Sequence, residues 1–351
     1  MRKIRVNMQE TKQPTKALWQ SVFDDTAEFV DFYFENIFTE QNNIFIEKNG
    51  QIISALQAVD FLVKIENQVV PTAYLSGICT DKNFRNQGFM SELLRKTHRG
   101  LFEENYWAAT LIPADENLEK MYETYGYSAI FSNNILTAKD TKTTQSKTGQ
   151  TMQSPVIAGL TGNNLTVFEL LKEDFSAAYQ YFNAKNLERK FSLLATENYF
   201  KIILKYFELE KRKILVAKEC GNFVGMAFVN EEGKVLEFFF DNENAKTALL
   251  DFICQIFDNQ QIITSSPRGM LRIINVEKFL NFYAENFPAH ERKIAVFDKD
   301  IVENCGNFFI KNGVVTKIHS KSLNYPLIPL KKLAEMLLKN LQPRMTIMLN
   351  E

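Results

Sequence analysis

The stretch with the clearest chemistry in this 351-residue chain is Arg85-Asn86-Gln87-Gly88-Phe89-Met90, which follows the apolar run Tyr74 to Thr80 and leads into a helical pattern. A helix start exposes amide hydrogens without helical partners and the positive end of the helix dipole, so it can hold a pyrophosphate. Gly88 removes the side chain that would keep phosphate oxygens off the backbone. Arg85 adds a guanidinium suited to phosphate. Alone the hexapeptide is a weak signal, because arginine and glycine at that spacing also describe an ordinary loop before a helix.

The elements that must position this turn are readable around it. Leu18, Val22, Phe29, Phe32, Tyr33 and Ile37 have helical spacing, and Asp24, Asp25 and Thr26 can cap a second helix. Ile44 to Lys48 and Gln51 to Leu56 flank Asn49-Gly50, a hairpin turn whose two positions both need positive φ. A further strand or two over Gln68 to Thr80 precedes the turn. The helix after it has an inner face of Phe89, Met90, Leu93, Leu94 and Leu101. A strand from Tyr106 to Ile112 stops at Pro113. Leu118, Met121, Tyr122 and Tyr125 then mark a helix closed by Gly126. Strand, loop, helix, strand, helix is an α/β order.

Residues 138–155, rich in Thr, Lys, Gln and Ser, read as an exposed linker after a first domain over 1–137. Residues 156–267 partly repeat that domain: helical material over Phe175 to Phe207, a hairpin over Ile214 to Val229, a strand from Val235 to Phe240, a helix from Ala245 to Phe257, and a strand over Gln261 to Thr264. Where the first half has its glycine turn, the repeat has Asp241-Asn242-Glu243-Asn244-Ala245, whose two acids would repel an anion. The second copy is therefore expected to lack the phosphate site. Residues 268–351 read as a small α+β module: a helix over Val276 to Phe287, strands from Lys293, Asn307 and Val314, a helix over Ile328 to Leu341 and an apolar tail.

Composition sets outer limits. Lys and Arg total 41 against 42 for Asp and Glu, which argues against a protein whose main task is to grip nucleic acid or an anionic membrane. The four cysteines and three histidines are scattered, so neither a structural zinc site nor a disulfide framework is expected, and no metal is called for. Met1 to Glu10 lacks the apolar core of a signal peptide, and no run reaches the ~18 apolar residues of a membrane helix. The expectation is a cytoplasmic protein with reduced thiols.

Downstream of the turn lies Tyr122-Glu123-Thr124-Tyr125-Gly126-Tyr127. Strand, R-x-x-G-x-M, helix, strand, proline and a helix ending in Y-x-x-Y-G-Y resembles the acetyl-CoA core of the GCN-five-related N-acetyltransferases, the GNAT superfamily, over roughly residues 1 to 137. Arg85 and Gly88 match its Q/R-x-x-G-x-G/A pattern, and Met90 departs from it. The three-part layout is similar to the "enhanced intracellular survival" (Eis-like) branch, with a second, degenerate GNAT domain and a C-terminal domain like a sterol carrier protein.

The resemblance implies acetyl-CoA as co-substrate. Its pyrophosphate would lie on Arg85, Asn86, Gln87, Gly88, Phe89 and Met90, and its pantetheine arm would pair with the strand residues Ile78, Cys79 and Thr80. A primary amine attacks the thioester directly. The departing thiolate needs a proton, and a phenol of reference pKa near ~10 matches its basicity; Tyr122 stands at the position of the superfamily's general acid. In the Eis-like branch the chain's terminal carboxylate takes the amine's proton, here that of Glu351; a plain surface strand is the other reading of the tail. Trp19 and Phe32, on the first two helices, are candidate acceptor contacts. Cys79 beside the thioester could serve a ping-pong scheme but reads better as a strand residue. His98 reads as a solvated helix position. A small-molecule or peptide amine is the expected partner, and the branch implies a homo-oligomer. Two rivals stand beside this: a carrier of apolar ligands or CoA sensor without catalysis, and a transferase using another acyl-CoA.

Overall fold

The computed structural model describes residues 10–131, 165–257, 269–318 and 325–346. In the first stretch, α1 spans Lys12–Val22 and α2 Ala27–Asn36, the latter capped by the Thr26 hydroxyl, which accepts from the Phe29 amide. Strands β1 (Asn43–Lys48) and β2 (Gln51–Ile65) flank Asn49 and Gly50 at φ 54° and 78°, the turn expected of Asn-Gly. Then come β3 (Gln68–Thr80), α3 (Phe89–Glu103), β4 (Ala108–Leu111), α4 (Glu116–Glu123) and β5 (Ser128–Ala129). Asp115 caps α4 by accepting from the amides of Asn117 and Leu118.

The middle stretch holds β6 (Leu165–Glu169), α5 (Phe175–Glu188), β7 (Phe191–Leu194), α6 (Glu197–Leu209), β8 (Lys213–Glu219), β9 (Asn222–Val229), β10 (Val235–Phe240) and α7 (Glu243–Phe257). The last holds β11 (Met270–Ile273), α8 (Val276–Asn286), β12 (Arg292–Phe297), β13 (Gly306–Lys311), β14 (Val314–Ile318), β15 (Leu327–Pro329) and α9 (Leu330–Leu338). The chain is mixed α/β, as the order of elements implied. Among the described residues no helix is long and apolar enough to cross a membrane.

Two compact units result, Met1–Phe131 with Arg268–Arg344, and Ser132–Pro267 with Met345–Glu351. In the first, one sheet runs β1-β2-β3-β4-β11-β5 and a second runs β14-β13-β12-β15. The first sheet is clothed on both faces. Ile44, Leu56, Ala58, Ala73 and Leu75 meet Leu93, Leu94 and Leu101 of α3, while Phe45, Ile52, Ala55 and Cys79 meet Leu18 of α1. Successive strand residues thus serve opposite cores, as the two-residue repeat of a strand requires. In the other unit β10-β9-β8-β6 form an antiparallel sheet. Its hairpin turns at Cys220 and Gly221, at φ 49° and 85°.

Three expectations are corrected. The stretch Phe175 to Phe207 is not continuously helical: β7 separates α5 from α6. Met270–Ile273, which carried no strand signal, lies between β4 and β5, pairing antiparallel with both. Arg272 in its centre is almost completely buried, at 1% exposure. His98 is likewise fully buried rather than solvated. The linker 138–155, the expected strand Gln261 to Thr264 and Glu351 lie outside the described residues.

Candidate active site

The turn before α3 is built for backbone exposure. Asn86 stands at φ 60° and Gly88 at φ 87°, which swings the chain from strand into helix. Gly88 is the N-cap, no side chain caps the helix, and a Cβ at this position would meet nothing within 4 Å. The first amides of α3 therefore open onto space that a ligand can use. Arg85, Asn86, Gln87 and Gly88 are exposed, and Phe89 and Met90 are half-buried. The Arg85 Nε donates to the Thr80 carbonyl at 3.2 Å and the Gln87 side chain to the Asn83 carbonyl at 3.0 Å, so both long side chains are tied back beside the turn.

β3 and β4 part company next to this turn. Their parallel pairing runs from Thr72–Ala108 to Tyr74–Thr110, whereas β3 continues to Thr80. Among the described residues, Leu75 to Thr80 thus have a strand partner only in β2, and no strand pairs with their other backbone edge. A bulge interrupts the β2 register there, between the pairs Ala55–Cys79 and Gln57–Ser76, with Gly77 at φ 61°. The Trp19 ring fills the place of a Gly77 side chain. Its indole N–H is held by Asp25 at 2.7 Å, and it lies 4.7 Å from the Tyr33 ring, whose hydroxyl meets Ser76 Oγ at 2.8 Å. Burial pushes the Tyr33 phenol above its ordinary pKa, against a small opposing effect of that hydrogen bond.

Trp19, at 3% exposure, is therefore a buttress of the bulge, and Phe32 is half-buried on α2. From the sequence Tyr33 reads only as an apolar helix position and Ser76 carries no signal; a glycine within a strand pattern is the available sign of a bulge.

Tyr122 sits in the same apolar cluster as Leu75, Ile78 and Met90, so α4 brings it to the face of the sheet that carries the open edge and the turn. It is 6% exposed, and among the described residues its hydroxyl has no hydrogen-bond partner. Burial, and then the neighbouring Tyr125, push its pKa up, so it holds its proton. Tyr125 ties the end of α4 to the first turn of α3 through Ser91, at 2.6 Å. Cys79 belongs to the opposite core: its thiol, pushed up to about 12 by burial, meets the Ala55 carbonyl and is a poor nucleophile. Thr80 bonds Ser54 through its hydroxyl at 2.8 Å. Among the described residues no cluster of His, Cys, Asp and Glu is placed to hold a metal ion.

The site candidates are thus an uncapped helix start, a splayed parallel pair and a buried phenol that keeps its proton. Residues 3–130 match the family model of the Acetyltransferase (GNAT) domain. The chain thus carries a GNAT acetyltransferase domain and is an enzyme of the acyl-CoA-dependent N-acetyltransferase class. No curated protein matches the sequence at a significant level.

Among solved structures, the chain is similar to a GCN5-related N-acetyltransferase from Anabaena variabilis (TM-score 0.71, 17% identity, 93% of this chain and 87% of that one). It is also similar to a probable N-acyltransferase from Enterococcus faecalis (TM-score 0.67, 17% identity, 88% and 83%) and to Eis1 from Mycobacterium abscessus (TM-score 0.65, 12% identity, 93% and 87%). At such identities these are likenesses of fold.

Proposed function

We propose that the chain moves an acetyl group from acetyl-CoA to a primary amine by direct attack in a ternary complex. The open Gly88 turn beside the unpaired edge of β3 carries the reading, because that pair of features fits a pyrophosphate followed by an amide-bearing arm. The amides from Gln87 to Met90 would hold the pyrophosphate with Arg85, and Ile78 to Thr80 would pair with the arm. Acetyl-CoA supplies a thioester carbonyl for the amine to attack. Tyr122 holds a proton at its hydroxyl oxygen for the departing sulfur, and its raised pKa keeps that proton in place at neutral pH. The buried thiol of Cys79 speaks for direct attack over a ping-pong route.

The layout proposed for the chain is Eis-like, with a second, degenerate GNAT domain and a C-terminal sterol-carrier-like domain. Similarity to Eis1 over most of both chains supports it. So does the closed helix start of α7: the Asn242 side chain accepts from the Ala245 amide at 2.8 Å, and Lys185 pairs with Asp241 at 2.7 Å. There the protein's own groups take the place an anion would occupy.

Thiol release from acetyl-CoA, measured across polyamines, aminoglycosides and lysine peptides, tests the proposal. Turnover with a primary amine is expected. CoA binding without thiol release from any of them would favour the sensor reading, and faster release from a longer acyl-CoA would replace acetyl as the donor group.

A further inference from the structure

We infer that Arg272, a residue of β11 far from the Gly88 turn in sequence, is a positioning residue that sets the place of the Tyr122 hydroxyl. The inference rests on the reading of Tyr122 as proton donor. Arg272 Nη1 donates to the Tyr125 carbonyl at the end of the helix that carries Tyr122, where the helix dipole is negative and a cation is favoured. Arg272 also occupies the space of a side chain at Gly126, whose φ is 87°. Its Nη2 is gripped by both carboxylate oxygens of Asp298, at 2.7 and 2.9 Å. Asp298 in turn accepts from the amides of Asp300 and Ile301 and from the Asn304 side chain.

A second line reaches the same segment. Asp300 accepts from His98 Nδ1 at 2.8 Å, which leaves Nε2 to accept from the Tyr127 hydroxyl at 3.0 Å. The Tyr127 ring lies edge-on to the Tyr122 ring, with centroids 5.9 Å apart. Residues 125 and 127 are thus held from the one acidic loop Asp298 to Asp300, and Tyr122 stands directly before them. Charges buried this deeply are costly to separate, so the loop, the guanidinium and the end of α4 move as one body. Tyr122, whose hydroxyl has no hydrogen-bond partner among the described residues and whose carbonyl accepts from the amides of Tyr125 and Tyr127, takes its position from that body.

The test is a double-mutant cycle of Arg272→Lys and Tyr122→Phe, with spermidine as acceptor, or water where spermidine is not acetylated. Arg272→Lys keeps the charge but loses the two-pronged geometry. It is expected to lower kcat about 10-fold or more, with KM for acetyl-CoA little changed, and to have no further effect in the Tyr122→Phe background. Equal losses in both backgrounds, or an unchanged kcat, overturn the inference.

Should Arg272→Lys not fold, Tyr127→Phe takes its place in the same cycle, since it removes only the hydroxyl on His98. Its loss of kcat must likewise vanish when Tyr122 is absent. An unchanged kcat in Tyr122→Phe itself sinks the proton-donor reading instead. Absence of thiol release with water and with every polyamine, aminoglycoside and lysine peptide of the acceptor screen sinks the transferase reading and this inference together.

Discussion

The indole of Trp19 stands where a side chain on Gly77 would have to go, and this contact fixes the bulge in β3. A Gly77→Ala variant meets both the ring and the strain of φ 61°, which costs a non-glycine residue roughly 1–3 kcal/mol before any clash. The melting temperature is expected to fall by several degrees and kcat with it. Trimming the ring as well, in Gly77→Ala with Trp19→Leu, should not add the two losses; strict additivity in thermal melts would mean that the contact does not govern the bulge.

Gly88 is the opposite case. Its surroundings are empty, so Gly88→Ala should cost only about 1 kcal/mol of stability, from its left-handed φ. Its Cβ would nevertheless stand between phosphate oxygens and the amides of α3. Acetyl-CoA affinity by calorimetry should drop about tenfold, as it should for Arg85→Ala, and the Arg85→Ala deficit should shrink as salt is added. Unchanged affinity in both variants would remove the turn from the binding site.

For Tyr122→Phe, kcat is expected to fall about 100-fold or more with acetyl-CoA affinity intact. Because burial raises the phenol above its ordinary value, the protonated form persists through neutral pH and beyond ~10. A kcat profile that declines well below that pH, and loses the decline in Tyr122→Phe, would contradict the assignment.

His98 makes stability sensitive to acid. Burial, then the nearby Arg272, lower its pKa to about 4 in the folded chain, against ~6.5 when unfolded. Protonation therefore favours unfolding. Its contribution is complete above ~6.5 and is lost as the pH falls towards 4, about 2 kcal/mol being gone at pH 5. For Asp300, burial alone would raise the pKa, but the hydrogen bond from His98 and the charges around it outweigh that and lower it, so its share is lost in stronger acid. Melting temperatures at pH 7 and pH 5 should differ less in His98→Gln than in the parent; an equal difference would exclude the histidine as the cause.

Local signals carried the front of the molecule. Asn49-Gly50, Thr26, Asp115 and Gly126 act through their nearest neighbours in sequence, and each does what its chemistry implies. The Gly88 turn was readable for the same reason. The Arg272–Asp298 pair and the burial of His98 were not, because a charged or titratable side chain reads as solvated until partners far along the chain are known. Four residues of β11 with an arginine among them carry too short a pattern to be told from a loop.

The place of β11 also shapes how the molecule is made. Met270–Ile273 lies between Leu111 of β4 and Ala129 of β5, yet it leaves the ribosome only after Ser132–Pro267 of the other unit. The first sheet therefore waits, with the edge of β4 bare, while the segment that completes it is still being synthesised. Closure over so long a stretch of chain is slow, and an uncovered edge in the interval invites pairing with another nascent copy.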